Sequence, residues 1–121
     1  MKILGTGIDL VEVPRFEKVV RRLGSRFLTR LFTPSELRYA RGRKTMMQHL
    51  AARFAAKEAV VKALGAPKGL GLQWKDLEVT RSRSGRPGVL FRGSMSRWKR
   101  RKVYLSLTHT REHAIASAIV L

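Results

Sequence analysis

A long helix is the feature that most constrains what this chain can fold into. The stretch from about Met46 to Leu64 contains neither glycine nor proline, and Gly65 and Pro67 end it. At about 100° per residue, four apolar side chains fall on one narrow stripe of this helix. They are Leu50, Phe54, Val61 and Leu64. We therefore predict that the helix packs against the rest of the chain along that stripe.

A lysine interrupts the apolar stripe. Lys57 falls inside it, and Glu58 lies at its edge. The side chain of Lys57 could extend to solvent along the helix, or this face could border a cleft in which the ammonium meets an anion. The helix also carries the i,i+4 pairs Arg53–Lys57 and Glu58–Lys62. The second is compatible with an ordinary exposed ion pair, which contributes about 0.3–0.5 kcal/mol. The pattern leaves both interpretations of Lys57 open.

Shorter elements flank the long helix, and their hydrophobic period alternates between helical and extended. A helix is expected from Pro14 to Gly24, and Thr33 with Glu36 forms a capping box at the start of another. Runs typical of β-strands cover residues 2–10, 74–80, 89–91, 103–108 and 114–121. Two glycines in the first run indicate the close approach of another backbone. We predict an α+β fold, with helices packed on a small antiparallel sheet, in one domain over residues 1–121.

Composition excludes several classes of protein. The chain has no cysteine, so disulfides, thiolate metal sites and cysteine nucleophiles are excluded. Its apolar runs are far shorter than the roughly 20 residues needed to cross a bilayer. The first residues lack the apolar region and cleavage site of a signal peptide. We therefore expect a cytoplasmic protein with no membrane partner.

The net charge of +18 indicates anionic partners without identifying them. Such a field attracts nucleic acid, anionic membranes, phosphorylated ligands and acidic proteins, and it is also compatible with a merely solvated surface. The basic run at 97–102, which includes Trp98, favours a nucleic-acid-binding module. The glycine-rich loop at 65–71 is a weak candidate for a phosphate cradle, because it lacks the Gly-Lys-Ser/Thr ending of a P-loop.

Acidic residues are scarce, and two of them point to a metal. The chain has 8 Asp and Glu against 26 Lys and Arg, and its only aspartates are Asp9 and Asp76. Asp9 ends a glycine-containing segment, and Glu58 lies among cations on the long helix. Mg²⁺ is often held by one or two carboxylates while phosphates and water fill its other positions. Asp9 with Glu58 is therefore the best candidate metal pair, whereas we expect Asp76 to be structural.

Five motifs follow one another along nearly the whole chain. They are GTGIDLVEVPRF at 5–16, RFLTRLFT at 26–33 with Glu36-Leu37, RFAAKEAVVKALG at 53–65, WKDLEV at 74–79 and LSLTHTRE at 105–112. In this order they resemble the holo-[acyl-carrier-protein] synthases, the short phosphopantetheinyl transferases of fatty acid synthesis. The motif at 53–65 is the most specific. Two features depart from the family: Thr108 stands where many relatives have serine, and the stretch at 94–102 is unusually basic.

The resemblance implies a reaction and a cofactor. The 4′-phosphopantetheine arm of coenzyme A would move to a serine hydroxyl of an acidic apo acyl carrier protein, and adenosine 3′,5′-bisphosphate would leave. Asp9 and Glu58 would hold Mg²⁺ against the pyrophosphate, and Lys62 would complete the catalytic set. The serine proton would pass to Glu58 or to a metal-bound water, and the sequence does not decide between them.

The resemblance also implies which side chains contact the substrates. The coenzyme A contacts would be Arg53, Lys57, Lys62, His109 and Thr110. Arg15 and Arg22, on the first predicted helix, would meet the carrier protein. The 4′-phosphopantetheinyl transferase fold forms trimers with active sites at subunit interfaces, so a homotrimer is expected. A nucleic-acid-binding module would leave the five motifs unexplained, and a non-catalytic carrier-binding subunit would not need these carboxylates and lysines. No specific nucleic-acid partner is therefore expected.

Overall fold

The computed structural model describes residues 2–66 and 71–121. Its helices are α1 (Val13–Leu23), α2 (Ser25–Leu31), α3 (Pro34–Arg41) and α4 (Met46–Leu64). Its strands are β1 (Gly5–Glu12), β2 (Leu77–Arg81), β3 (Pro87–Phe91), β4 (Val103–His109) and β5 (His113–Val120). Short 3-10 helices precede β2 (Trp74–Asp76) and β4 (Gly93–Trp98). The predicted α+β class is confirmed, while Pro67 and most of the predicted glycine-rich loop lie outside the described residues.

The strands form two antiparallel sheets. The larger has the order β1-β5-β4, and the smaller is the β2–β3 hairpin. In the larger sheet Asp9 lies opposite Ala116, which lies opposite Leu107. The predicted strand at 74–80 begins only at Leu77, because the Asp76 N–H donates to the Gln73 carbonyl and closes a turn before the ladder starts.

Helix α4 is the core of the molecule rather than a helix with one buried stripe. Its bounds are those predicted, and Gly65 ends it in the left-handed conformation at φ 64°. Burial covers most of its circumference, because its many alanines let neighbours approach from several directions. Helices α1, α2 and α3 pack against its N-terminal half, and the sheets pack against its C-terminal half. No helix in residues 2–66 or 71–121 is long and apolar enough to span a bilayer.

The two glycines of β1 allow the strand to lie directly on α4. A Cβ at Gly5 would overlap the Ala63 carbonyl oxygen, and one at Gly7 would overlap that of Ala59. The predicted close approach is therefore confirmed. Residues of β1 alternate between its two faces, so Asp9, two residues after Gly7, also points towards α4. The glycines thus set the distance between the strand that carries Asp9 and the helix that carries Glu58.

The second aspartate holds the basic segment in place. Asp76 accepts hydrogen bonds from Ser94 N–H at 2.9 Å and from Ser94 Oγ at 2.7 Å. These bonds lower the pKa of Asp76 below its usual range. Met95 is fully buried and Trp98 is partly buried, so the 3-10 helix is anchored while the cations that follow it are exposed. These contacts support the structural role expected for Asp76.

Candidate active site

A cavity between β1, α1 and α4 brings the two predicted metal ligands together. Asp9 and Glu58 both line it, and Arg15, Phe16 and Phe54 contribute to its walls. We call it the carboxylate cavity. Burial and then the negative charge of Asp9 raise the pKa of Glu58 above its usual range. Two carboxylates that repel each other at a partly buried site favour binding of a cation.

Lys62 lies at the rim of this arrangement. Its Nζ donates to Asp9 Oδ1 at 2.9 Å and to the Ile8 carbonyl at 3.1 Å. Its side chain is 56% exposed and that of Asp9 is 11% exposed. The hydrogen bond and charge of Asp9 raise the pKa of Lys62. In the described residues no Glu58–Lys62 ion pair forms, so the helical pair suggested by the spacing is replaced by one between helix and strand.

Lys57 is held inside the core. Its side chain is fully buried, and its Nζ lies 2.6 Å from the Leu31 carbonyl, 2.7 Å from Glu36 Oε1 and 3.1 Å from the Trp74 carbonyl. An ammonium has three N–H donors, and all three are used. Burial lowers the pKa of Lys57, while the Glu36 carboxylate opposes that change. The idea that Lys57 extends to solvent is therefore wrong, and its contact with a phosphate of coenzyme A stays a prediction that these contacts do not support.

A second cavity contains Arg53 and His109. His49, Arg81 and Thr108 also line it, and we call it the arginine cavity. Arg53 is only 3% exposed, and its Nε–H has no hydrogen-bond partner among the described residues. Burying an unpaired donor of a cation is costly. The orphaned donor therefore favours an anionic ligand here.

Three guanidinium groups surround one aromatic ring beside this cavity. The Cζ atoms of Arg53, Arg43 and Arg81 lie 4.0, 4.1 and 5.4 Å from the centre of the Tyr39 ring. The ring face attracts cations and holds together groups that would otherwise repel. Sequence reasoning missed Tyr39, Arg43 and Arg81. Among so many basic residues, only the juxtaposition of α3, the turn after it, α4 and β2 distinguishes them.

His109 and Thr110 lie at the β4–β5 turn but serve different contacts. His109 Nδ1 lies 2.9 Å from Gln48 Oε1, which orients its ring. Thr110 Oγ1 accepts from the backbone N–H groups of Glu112 and His113 at 3.3 and 3.1 Å, and so closes the turn. It lines a shallow depression of the turn itself rather than the arginine cavity. Within one chain, the predicted pair Asp9 and Glu58 thus lies in one cavity and Arg53 with His109 in another. Thr110 lies in the turn, Lys57 in the core, and Lys62 beside Asp9.

His49, which lines the arginine cavity, should make the stability of the fold sensitive to acid. Burial, followed by the charges of His109 and the three arginines, lowers the pKa of His49 from 6.5 to about 4. The folded state therefore binds this proton less readily than the unfolded state, so stability present above 6.5 is lost as the pH falls towards about 4. We expect protonation of His49 to lower the free energy of unfolding by about 1–2 kcal/mol over that window, allowing for its partial exposure.

His49→Phe should remove that part of the acid destabilisation. The free energy of unfolding, measured in urea across the same pH range, should fall less steeply for the variant than for the wild type. At about pH 8 the imidazole is neutral in both states, so the difference there isolates the effect of packing. Parallel pH profiles for the two proteins would contradict the prediction.

Comparison with known proteins shows the family to which the chain belongs. Residues 5–118 match the model of the 4′-phosphopantetheinyl transferase superfamily. The chain belongs to this superfamily. The holo-[acyl-carrier-protein] synthase of Koribacter versatilis is 45% identical to this phosphopantetheinyl transferase over 122 residues, which cover 98% of each chain.

Solved structures of similar proteins have the same fold. A holo-(acyl-carrier-protein) synthase from Bacillus anthracis, in complex with CoA (3′,5′-ADP), is 33% identical with a TM-score of 0.81, covering 98% of this chain and 96% of that one. The Helicobacter pylori holo-[acyl-carrier-protein] synthase, in complex with coenzyme A, is 30% identical with a TM-score of 0.83, covering 96% and 99%. The predicted 4′-phosphopantetheinyl transferase fold is therefore confirmed.

Proposed function

We propose that this phosphopantetheinyl transferase is a holo-[acyl-carrier-protein] synthase, which moves the 4′-phosphopantetheine arm of coenzyme A to a serine of an apo acyl carrier protein. The observation that carries the proposal is the carboxylate cavity, in which Asp9 and Glu58 converge in a chain 45% identical to a protein of that name. The coenzyme A complexes of the two similar structures support coenzyme A as the substrate.

The reaction is a phosphoryl transfer. The serine hydroxyl attacks the phosphorus that bears the pantetheine arm, and the P–O bond to the other phosphate of the pyrophosphate breaks. Adenosine 3′,5′-bisphosphate leaves, and the serine proton passes to Glu58 or to water. In such reactions a protein acts mainly by positioning the reactants and by offsetting developing negative charge. Lys62, which is largely exposed and already paired with Asp9, is a nearby cation suited to that task.

Mg²⁺ fits the donors of the carboxylate cavity. Asp9 and Glu58 offer hard oxygen ligands from two different elements. Within the described residues no group of three or more His, Asp and Glu is placed to bind a metal. Two protein ligands leave positions for phosphate oxygens and water, which is a usual arrangement for Mg²⁺. Bound there, the ion would neutralise charge on the pyrophosphate.

The anionic parts of coenzyme A fit the cationic groups of the arginine cavity. Arg53 has a buried donor that no described residue accepts, Arg81 faces the same cavity, and Gln48 orients the ring of His109. We assign Arg53 and His109 to phosphate binding, and Thr110 to holding the turn that presents His109. Lys62 would meet a phosphate from the side of the carboxylate cavity.

A homotrimer would bring the two cavities together across subunit interfaces. One face of the larger sheet packs on α4, whereas its other face exposes apolar side chains. They are Ile8, Leu10, Tyr104 and Ile119, which are 65%, 55%, 42% and 40% exposed. Contiguous exposed apolar surface on a sheet favours association. We propose that other copies of this chain pack on this face. Active sites at the interfaces would then explain why one chain does not join Asp9 with His109.

Ile119→Glu should convert the assembly to monomers. Ile119 lies between Thr6 and Tyr104 on the exposed face of the sheet, and burying a carboxylate there in an interface is strongly unfavourable. Sedimentation equilibrium should give a trimer mass for the wild type and a monomer mass for the variant. Leu90→Glu is the matched control, because Leu90 is 46% exposed on the other sheet and should leave the trimer intact. A monomeric wild type would refute the trimer.

The carrier protein fits the basic side of α1. Arg15, Lys18 and Arg22 are exposed and recur at helical spacing, so they form one stripe. Arg15 also lines the carboxylate cavity, which connects the stripe to the reacting groups. An acidic carrier would be steered and oriented by this charge.

Mass spectrometry tests the function directly. The protein is mixed with an apo acyl carrier protein, coenzyme A and Mg²⁺, and one phosphopantetheine should be added to one serine of the carrier. A chelator should prevent the addition, since the proposed metal would be removed. If none of several apo carrier proteins is modified, the proposed function is wrong.

A further inference from the structure

A buried ion pair lies beside the candidate site without belonging to it. Glu36 of α3 and Lys57 of α4 are 1% and 0% exposed, and their charged atoms lie 2.7 Å apart. Neither residue lines the carboxylate cavity or the arginine cavity. The next residue on α4, however, is Glu58.

The Glu36 carboxylate is as fully hydrogen-bonded as the Lys57 ammonium. Its Oε1 accepts from the Thr33 N–H at 2.8 Å as well as from Lys57, and its Oε2 accepts from the Val79 N–H at 2.8 Å. Together with the two carbonyls that Lys57 contacts, these bonds join α2, α3, α4, β2 and the turn before β2. The capping box that the sequence predicts is therefore also the anchor of a network through the core.

Stability alone does not account for such a pair. Desolvation of two buried charges offsets most of their attraction, and an apolar pair of similar size is often as stable. Six of the eleven buried residues of α4 are alanines, whose small side chains do little to fix the rotation of a helix. Directional hydrogen bonds to a charged group can fix it.

We infer that the Glu36–Lys57 pair positions α4, setting its rotation and axial height so that Glu58 faces Asp9 across the carboxylate cavity. A rotation of about 20° would move a carboxylate roughly 6 Å from the helix axis by about 2 Å. Displacements of that order at a reacting centre cost about 100-fold in rate. The inference deepens the proposed function, on which it rests, by making Glu36 and Lys57 positioning residues for the metal ligand.

Three variants separate positioning from stability and from substrate contact. Glu36→Gln keeps the shape of the side chain but replaces one of its two acceptor oxygens by an NH₂ group. At least one of the buried donors that now bind the carboxylate therefore loses its acceptor. Lys57→Met removes the ammonium and leaves a buried carboxylate without its cation. The double variant leaves no buried charge. Lys75→Met is the control, because Lys75 is an exposed lysine.

Three measurements are made on each protein: the midpoint of thermal unfolding, the affinity for Mn²⁺ by electron paramagnetic resonance, and kcat with KM for coenzyme A. Each single variant should lower Mn²⁺ affinity and kcat by about 10- to 100-fold. The double variant should recover much of the midpoint lost in Lys57→Met, while its Mn²⁺ affinity and kcat stay low. Lys75→Met should match the wild type throughout.

Two outcomes of the stability and kinetic measurements would overturn the inference. Recovery of both the midpoint and kcat in the double variant would mean that the pair only stabilises the fold. Normal kcat in Glu36→Gln, with a raised KM for coenzyme A in Lys57→Met, would mean that Lys57 contacts the substrate directly. If Lys57→Met does not fold, the wild type, Glu36→Gln and the double variant still decide between these outcomes.

Failure of the inference can be told apart from failure of the proposed function. A wild-type protein that binds Mn²⁺ but modifies no carrier protein would refute the function, and the Mn²⁺ affinities of the variants would still test the pair. Unchanged Mn²⁺ affinity in all the variants, or no Mn²⁺ binding by the wild type, would overturn the inference.

Discussion

Asp9→Asn should lower the rate of phosphopantetheine transfer by about 10³-fold, which corresponds to roughly 4 kcal/mol of transition-state stabilisation. Asparagine keeps the size of the side chain but removes the charge that would hold the metal opposite Glu58. The fold should persist, because the ion pair that Asp9 loses is with Lys62, which is largely exposed. Initial rates of carrier modification and circular dichroism measure the two effects.

The other aspartate provides the control for Asp9→Asn. Asp76→Asn weakens the two hydrogen bonds from Ser94, so it should reduce stability by about 1 kcal/mol. It lines neither cavity and should leave the transfer rate near that of the wild type. If Asp9→Asn retains the full rate, Asp9 is not a metal ligand.

Gly7→Ala should destabilise the protein by about 3 kcal/mol or more. The added methyl would overlap the Ala59 carbonyl oxygen, and a backbone atom cannot move aside as the end of a flexible side chain can. Strand β1 would have to move away from α4, which would open the core and separate Asp9 from Glu58. The urea midpoint and the transfer rate should therefore fall together.

A second glycine isolates this packing effect. Gly42 has a φ of −81°, and a Cβ there would meet no atom of residues 2–66 or 71–121 within 4 Å. Gly42→Ala should therefore change stability by less than about 0.5 kcal/mol. Equal stability of Gly7→Ala and Gly42→Ala would show that β1 and α4 do not approach as closely as the structure indicates.

The sequence correctly predicted those features of the fold that depend on neighbouring residues. The bounds of α4 follow from an unbroken helical stretch ended by Gly65, and the α3 capping box follows from Thr33 and Glu36, both within one helical turn. The two glycines of β1 likewise predicted a close backbone contact. Each of these features depends on residues only a few positions apart, or on the absence of a side chain.

Lys57 shows where local reasoning fails. Its place on an apolar stripe indicated either solvent or an anion in a cleft. The anion that it meets is instead the Glu36 carboxylate in the core, and its other partners are the carbonyls of residues 31 and 74. No spacing along α4 could identify acceptors contributed by three other segments. The sequence did not predict the cluster of Arg43, Arg53 and Arg81 around Tyr39 for the same reason. The cluster exists only where separate segments of the chain meet.

The sequence by itself determined the fold class, the main helix and, through its five motifs, the family and the pairing of Asp9 with Glu58 as a prediction. The tertiary structure decided which charged side chains face a cavity and which are buried and paired inside the core. It placed Asp9 and Glu58 in one cavity, Arg53 with His109 in another, and Lys57 in neither. The physical reason is burial: whether a charge is available to a ligand depends on the donors and acceptors that distant segments bring to it, and these are set only when the chain packs.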